Sequence, residues 1–221
     1  DRVTRDSGDE GRVPYMSFMT MLGASDGVSA DYVDIAELLG DTSGALRADR
    51  RELFDRVVLS VALHNTDDHL RNHGLLRHED GWRLSPMFDV NPNPSIGSSR
   101  ATSIAGATEA GDEPAGLLEL GSACGLDAAS VRSRIAAVVD AVESWAAIAN
   151  AFGIAPGEQR LMAEVIDDRI AALRAIALPR SHRAAASPAR RGKTSASSNS
   201  GSFRARSTEV TKDGGEGPDR A

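Results

Sequence analysis

One cysteine, Cys124, stands in 221 residues, which excludes a disulfide framework and a cysteine-based zinc module. Aromatic residues are only 4%, so Leu, Val, Ile and Ala must build the core, and the 41% apolar content is enough for one. No apolar run approaches the roughly 20 residues of a membrane span, and no secretory signal is visible at the N-terminus. Lysine is nearly missing, the first being Lys193. These absences lead us to expect a soluble, cytoplasmic protein with no membrane partner. The chain opens on Asp1 rather than methionine, as expected of a fragment, a processed product or a truncated reading frame.

What is present is unevenly charged. The whole chain carries −7, but residues 180–221 hold nine Lys/Arg against four Asp/Glu, leaving −12 on residues 1–179. An acidic body repels nucleic acid, so no direct nucleic-acid contact is expected from it. Residues 180–221 are rich in Ser, Ala, Gly, Arg and Thr, with Phe203 the only aromatic. They bury too little to offset the entropy of ordering and are expected to form a disordered basic and polar tail. The boundary falls at Leu178–Pro179.

The body reads as mostly helical. Apolar spacing predicts helices over Pro14–Leu22, stopped by Gly23, and over Asp31–Leu39, closed by Gly40. A longer helix begins with Asp49 and Glu52 as a capping box and ends near His64. Asp127 caps a helix expected to run unbroken to Phe152, with Val131, Ile135, Val138, Val142, Trp145, Ala149 and Phe152 as a seam. Pro156 opens the last one, with Leu161, Val165, Ile166, Ile170, Leu173 and Ile176 on its apolar side. Cys124 reads as a small core residue.

The segment His64–Pro94 does not read as scaffold. A polar loop, Asn65-Thr66-Asp67-Asp68-His69-Leu70-Arg71-Asn72, follows directly on a buried helix, where function tends to sit. Gly74–Arg77 and Trp82–Leu84 form a hairpin around His78-Glu79-Asp80-Gly81. Ser85-Pro86-Met87-Phe88-Asp89-Val90 follows. The hairpin returns the chain, so Asp89 can approach Asp67 and Asn72. Two carboxylates and an amide oxygen make an all-oxygen site of the kind Mg²⁺ favours beside phosphates. Asp67 and Asn72 stand five apart, as in the H-R-D-x-x-x-x-N loop of protein kinases, and Asp89 is the later acid after a hairpin. Asp68 fits that spacing less well and reads as a solvated charge.

The residues Asn65–Gly74, Trp82–Pro86 and Phe88–Val90 resemble the C-terminal domain of HipA-like serine/threonine kinases, the toxins of bacterial toxin–antitoxin pairs. Asp1-Arg2, Arg12–Tyr15 and Leu22–Gly27 resemble the stretch after that family's inter-lobe hinge. The resemblance covers roughly residues 1–178. It implies a mainly α (α+β) kinase-like C-terminal lobe, a helix bundle with a small β-hairpin around the catalytic loop. It also implies transfer of the ATP γ-phosphate to a protein serine or threonine. Asp67 would be the catalytic base, Asn72 and Asp89 the Mg²⁺ holders, and His69 a brace of the loop. A protein substrate and an antitoxin are the implied partners.

One departure matters. Kinases clamp ATP with a glycine-rich loop and a lysine, and residues 1–64 contain neither. Little or no kinase activity is therefore expected of this chain alone. Two other readings compete. One is a non-catalytic fragment that binds an antitoxin or another partner. The other is a His/Asp metal-dependent hydrolase, since His64, His69, His73 and His78 fall within fifteen residues. Gly74 and the strand after it break the helix that a His69–His73 zinc pair would need.

Overall fold

The computed structural model describes residues 2–3, 12–25, 30–79 and 81–178. The tail expected over 180–221 lies outside them, as do Asp26-Gly27 and Asp80 of the motifs above.

The chain starts with two short strands, β1 (Arg2–Val3) and β2 (Arg12–Val13), paired antiparallel. β3 (Tyr15–Ser17) then runs directly into α1 (Phe18–Met21). The predicted helix over Pro14–Leu22 is thus half strand. Tyr15, Met16 and Ser17 pair with Leu76, Leu75 and Gly74, and this ladder outweighs the local helical spacing. Gly23 does follow the helix, in the left-handed region.

β4 (Ala30–Asp31) leads into α2 (Tyr32–Thr42). Asp31 caps α2 by accepting from the Val33 amide at 2.8 Å. The helix continues through Gly40, where a Cβ would stand 3.1 Å from Arg50 Nη2. α3 (Leu46–Ala62) begins three residues before the expected capping box. Asp49 lies inside the helix, buried, accepting from Ser43 Oγ at 2.6 Å and from the Leu84 amide at 3.3 Å. It therefore fastens α3 to the hairpin instead of capping a first turn.

That hairpin, β5 (Gly74–His78) and β6 (Gly81–Leu84), is where the sequence places it, with Leu75 opposite Leu84. β3 adds a third strand to make the order β3-β5-β6. β7 (Thr102–Ser103) pairs parallel with β4. Asp31 ties this second join, accepting from the Ala105 and Gly106 amides at 3.0 and 2.7 Å.

The helical remainder is α4 (Glu113–Ala123), α5 (Ala128–Val142), α6 (Trp145–Ala151) and α7 (Pro156–Ala177). Asp127 caps α5 as expected, accepting from Ser130 N at 2.7 Å. The unbroken helix to Phe152 is not formed. Glu143 and Ser144 separate α5 from α6, an interruption that a heptad pattern cannot register. Val131, Ile135, Val139 and Val142 are buried, whereas Ile148 and Phe152 of the expected second half are exposed. α3 is the central helix, its Phe54, Val57, Val58 and Val61 packed among α2, α4, α5 and α7. Arg134 of α5 grips Asp55 of α3 with two hydrogen bonds. Cys124 is buried at the end of α4, and burial pushes its thiol up to about 12. Among the described residues, no helix is long and apolar enough to cross a membrane.

The fold is mainly α with a small antiparallel sheet beside the loop 65–73. Gly74 is the tightest joint between them. A Cβ there would stand 2.5 Å from the Met16 carbonyl and 2.6 Å from Tyr15 Oη. Gly74→Ala is expected to cost about 1–3 kcal/mol, since a backbone oxygen cannot yield as a side-chain tip can. Urea unfolding reads this, and an unchanged midpoint would show that β3 does not pack so closely on β5.

Candidate functional site

The site begins where α3 ends. His64 adopts a left-handed conformation (φ 51°), and the Asn65 amide reaches back to the Ser60 carbonyl at 2.8 Å, while the His64 amide bonds the Val61 carbonyl at 3.0 Å. This is a Schellman stop made with histidine where glycine is usual. The side chain has its own task, Nε2 meeting the Ser95 carbonyl at 3.1 Å. The loop that follows is thereby launched in a fixed direction.

Adjacent aspartates then face opposite ways. Asp67 is exposed, and among the described residues no side chain holds its carboxylate. Asp68, expected as a solvated charge, is only 4% exposed. It accepts from His73 Nε2 at 2.6 Å and from the Tyr32 hydroxyl of α2. Burial pushes the Asp68 carboxyl up, but hydrogen bonds and charge from His73, with further bonds from Tyr32 and Ser60, outweigh it and hold the group at about 2. Burial, and then the neighbouring Asp68 charge, push the Tyr32 phenol well above its usual value. Behind this pair, Ser60 Oγ donates to the Asn65 carbonyl and receives Arg100 Nη2 at 2.6 Å. Arg100 is itself buried. Burial works against its charge, and Glu113, 2.8 Å from Nη1, is among the groups that more than restore it.

The later segment is drawn to the loop at two points. Tyr15 donates to the Arg71 carbonyl at 3.3 Å and packs edge-on against Phe88, with ring centres 6.2 Å apart. Asn93 Nδ2 donates to Thr66 Oγ1 at 2.7 Å, and the Asn93 amide bonds the His64 carbonyl at 3.1 Å. These tethers involve the chain neighbours of Asn72, Asp89 and Asp67. Asn72 is buried, its Nδ2 without a hydrogen-bond partner among the described residues. Asp89 is exposed in a left-handed conformation (φ 58°), with Oδ1 accepting from Asn91 at 2.8 Å. Two carboxylates and an amide oxygen, on Asp67, Asp89 and Asn72, are the donor types a hard divalent cation takes. The unpartnered Asn72 Nδ2 is a hydrogen-bond donor and is not itself a ligand.

The histidines are divided differently from expectation. His69 Nδ1 is buried with no partner among the described residues, and it is His73 that braces the loop. With Nε2 of His73 spent on Asp68 and Nε2 of His64 on Ser95, the pairing that a zinc hydrolase would need is not set up. Among the described residues, no group of three or more His, Cys, Asp or Glu could hold a metal ion. Tyr15, Tyr32, Ser60 and Arg100 escaped the sequence reading. Their one signal is polarity in stretches that otherwise read as helix or loop.

Asp68→Ala is expected to cost roughly 3 kcal/mol at neutral pH, because it strands the buried Tyr32 and His73 donors. About 2 kcal/mol of that is linked to protons. The folded carboxyl titrates below its unfolded counterpart, so this share is whole above about pH 4 and disappears as pH falls through about 2. Urea unfolding of both proteins across this range reads the difference. A gap that fails to narrow in acid would mean that Asp68 is not held as a carboxylate.

Comparison with known proteins finds the same fold. HipA of Shewanella oneidensis MR-1, solved in a toxin–antitoxin complex with HipB and operator DNA, shares the fold with a TM-score of 0.59 at 13% identity. The match covers 76% of this chain and 46% of that HipA, so the chain spans less than half of its length. Among curated proteins, none matches in sequence. The sequence model of the HipA-like C-terminal domain matches residues 1–146, about two-thirds of the chain, and the chain belongs to that family.

Proposed function

We propose that this domain carries the catalytic half of an ATP-dependent protein serine/threonine kinase. The observation that carries the reading is the opposed pair Asp67–Asp68: one carboxylate is locked into the core, and its neighbour is left open on a loop that cannot drift. Asp67 would accept the proton of a substrate hydroxyl. Asn72 and Asp89 would hold Mg²⁺, which when bound neutralises charge between the ATP phosphates. The chain's own contribution is positioning: Tyr15 and Thr66 set where the loop and the Asp89 segment stand relative to one another. Residues 1–179 would act as this lobe and 180–221 as an appended tail. A protein substrate and an antitoxin partner belong to the same proposal, the solved HipA being bound to HipB. The ATP-clamping lysine must come from elsewhere, since none precedes Lys193.

Mg-ATP titration into the chain by calorimetry tests the metal half. Binding is expected, and Asp89→Ala or Asn72→Ala should weaken it at least about tenfold, as loss of a metal ligand does. Asp67→Ala should leave it within about twofold, because a base touches the hydroxyl and not the nucleotide. Affinity indifferent to Asp89 would remove the metal site and the kinase reading with it. No binding by the unaltered chain would favour a non-catalytic interaction role.

A further inference from the structure

α6 packs chiefly against α7, with Trp145 at its start against the core. Between its flank, the end of α5 and the start of α7 lies a groove of about 760 Å³. Among the exposed large apolar side chains of the described residues, Ile148, Phe152, Ile154 and Leu161 all line this one groove. Phe152 is 82% exposed and Leu161 61%. Scattered exposed leucines need no explanation, but a continuous apolar trough does.

Its electrostatics select a partner. The one charged residue lining the groove is Glu158, and Trp145, on the wall, points its indole N–H at Asp167, 3.5 Å away. No basic residue lines it. The surrounding body, residues 1–179, carries −12. The floor reaches Pro92, three residues beyond Asp89 and beside Asn93. A second cavity, containing Met87, shares Leu59, Ala141 and Val142 with the groove, and its two arginines, Arg56 and Arg134, are each paired with an acid, Glu52 and Asp55.

We propose that this trough is a docking site for a basic amphipathic helix of a partner protein. Its apolar face would cover Phe152 and Leu161, and its cationic flank would face Glu158 and Asp167. The inference stands on the groove alone and does not require the kinase reading.

The test uses the full chain and two labelled peptides of about 14 residues, amphipathic helices of Leu with Lys or of Leu with Glu. Fluorescence anisotropy should show saturable binding of the Leu/Lys helix. Binding of the Leu/Glu helix should be at least about tenfold weaker. The double variant Phe152→Ser, Leu161→Ser should lose about tenfold for the Leu/Lys helix while keeping every charge. Both side chains are exposed, so circular dichroism and the unfolding midpoint should not move. Equal binding of the two peptides, or binding that survives the double variant, would overturn the proposal. So would a chain dimer in sedimentation that the double variant abolishes, which would make a second copy the occupant. Binding to phosphatidylserine vesicles that the double variant abolishes, with no peptide binding, would overturn it in favour of a membrane surface.

Discussion

A carboxylate removed from water must be paired or lose its charge, and Asp68 is that constraint in this domain. Its two oxygens take hydrogen bonds from Tyr32 on α2 and from His73 at the mouth of β5. Ser60 on α3 backs the loop, donating to the Asn65 carbonyl and accepting from Arg100. α2 and the mouth of β5 must therefore meet at the loop for the ion to be tolerated. Burial alone would raise its pKa; the depressed value shows that the partners win. Because each partner is itself packed, with Tyr32 and Ser60 at 0% exposure, none can leave without stranding another.

The consequence for function lies in the next residue along. Reactive groups need positions held to fractions of an ångström, yet they must remain open to substrate. A loop cannot meet both demands with one side chain. For the base proposed at Asp67 the work would be divided between neighbours: Asp68 supplies the anchorage, and Asp67 is exposed, with no side chain among the described residues holding its carboxylate. Leu70, 5% exposed, plugs the core below and keeps the loop from lifting. The Schellman stop at His64 fixes its entry, and the Ser17–Gly74 pairing fixes its exit.

How much of this was legible depends on the range of the force involved. The hairpin was visible because Gly and alternating apolar residues encode it locally. The Asp127 cap and the Pro156 start were visible for the same reason. Asp67, Asn72 and Asp89 stood out by spacing and by resemblance. Asp68 did not: in sequence it is one more acid in an acidic loop, and only tertiary partners 36 residues upstream and 5 downstream bury it. Asp49 failed similarly, since a capping-box pattern cannot reveal that the carboxylate is needed by Leu84. Tyr15–Ser17 kept helical spacing but found a strand to pair with, and pairing with β5 outweighs propensity over three residues. The α5–α6 break was hidden because the apolar period continues through it.

The stretch from Met87 to Asn93 touches both the loop and the helices. On one side Phe88 rests on Tyr15 and Asn93 on Thr66, so the loop sets its place. On the other side Met87 and Pro92 line the cavities along α3, α5 and α6. Asp89 sits between the two sets of contacts in a left-handed conformation that costs a non-glycine residue about 1 kcal/mol or more. Such a conformation persists only when the surroundings over-determine it. Here the surroundings are the loop in front and the helical groove behind. A change in either acts on the same few bonds, so the position of the Asp89 carboxylate is a joint property of the loop and the helices and not of its own segment.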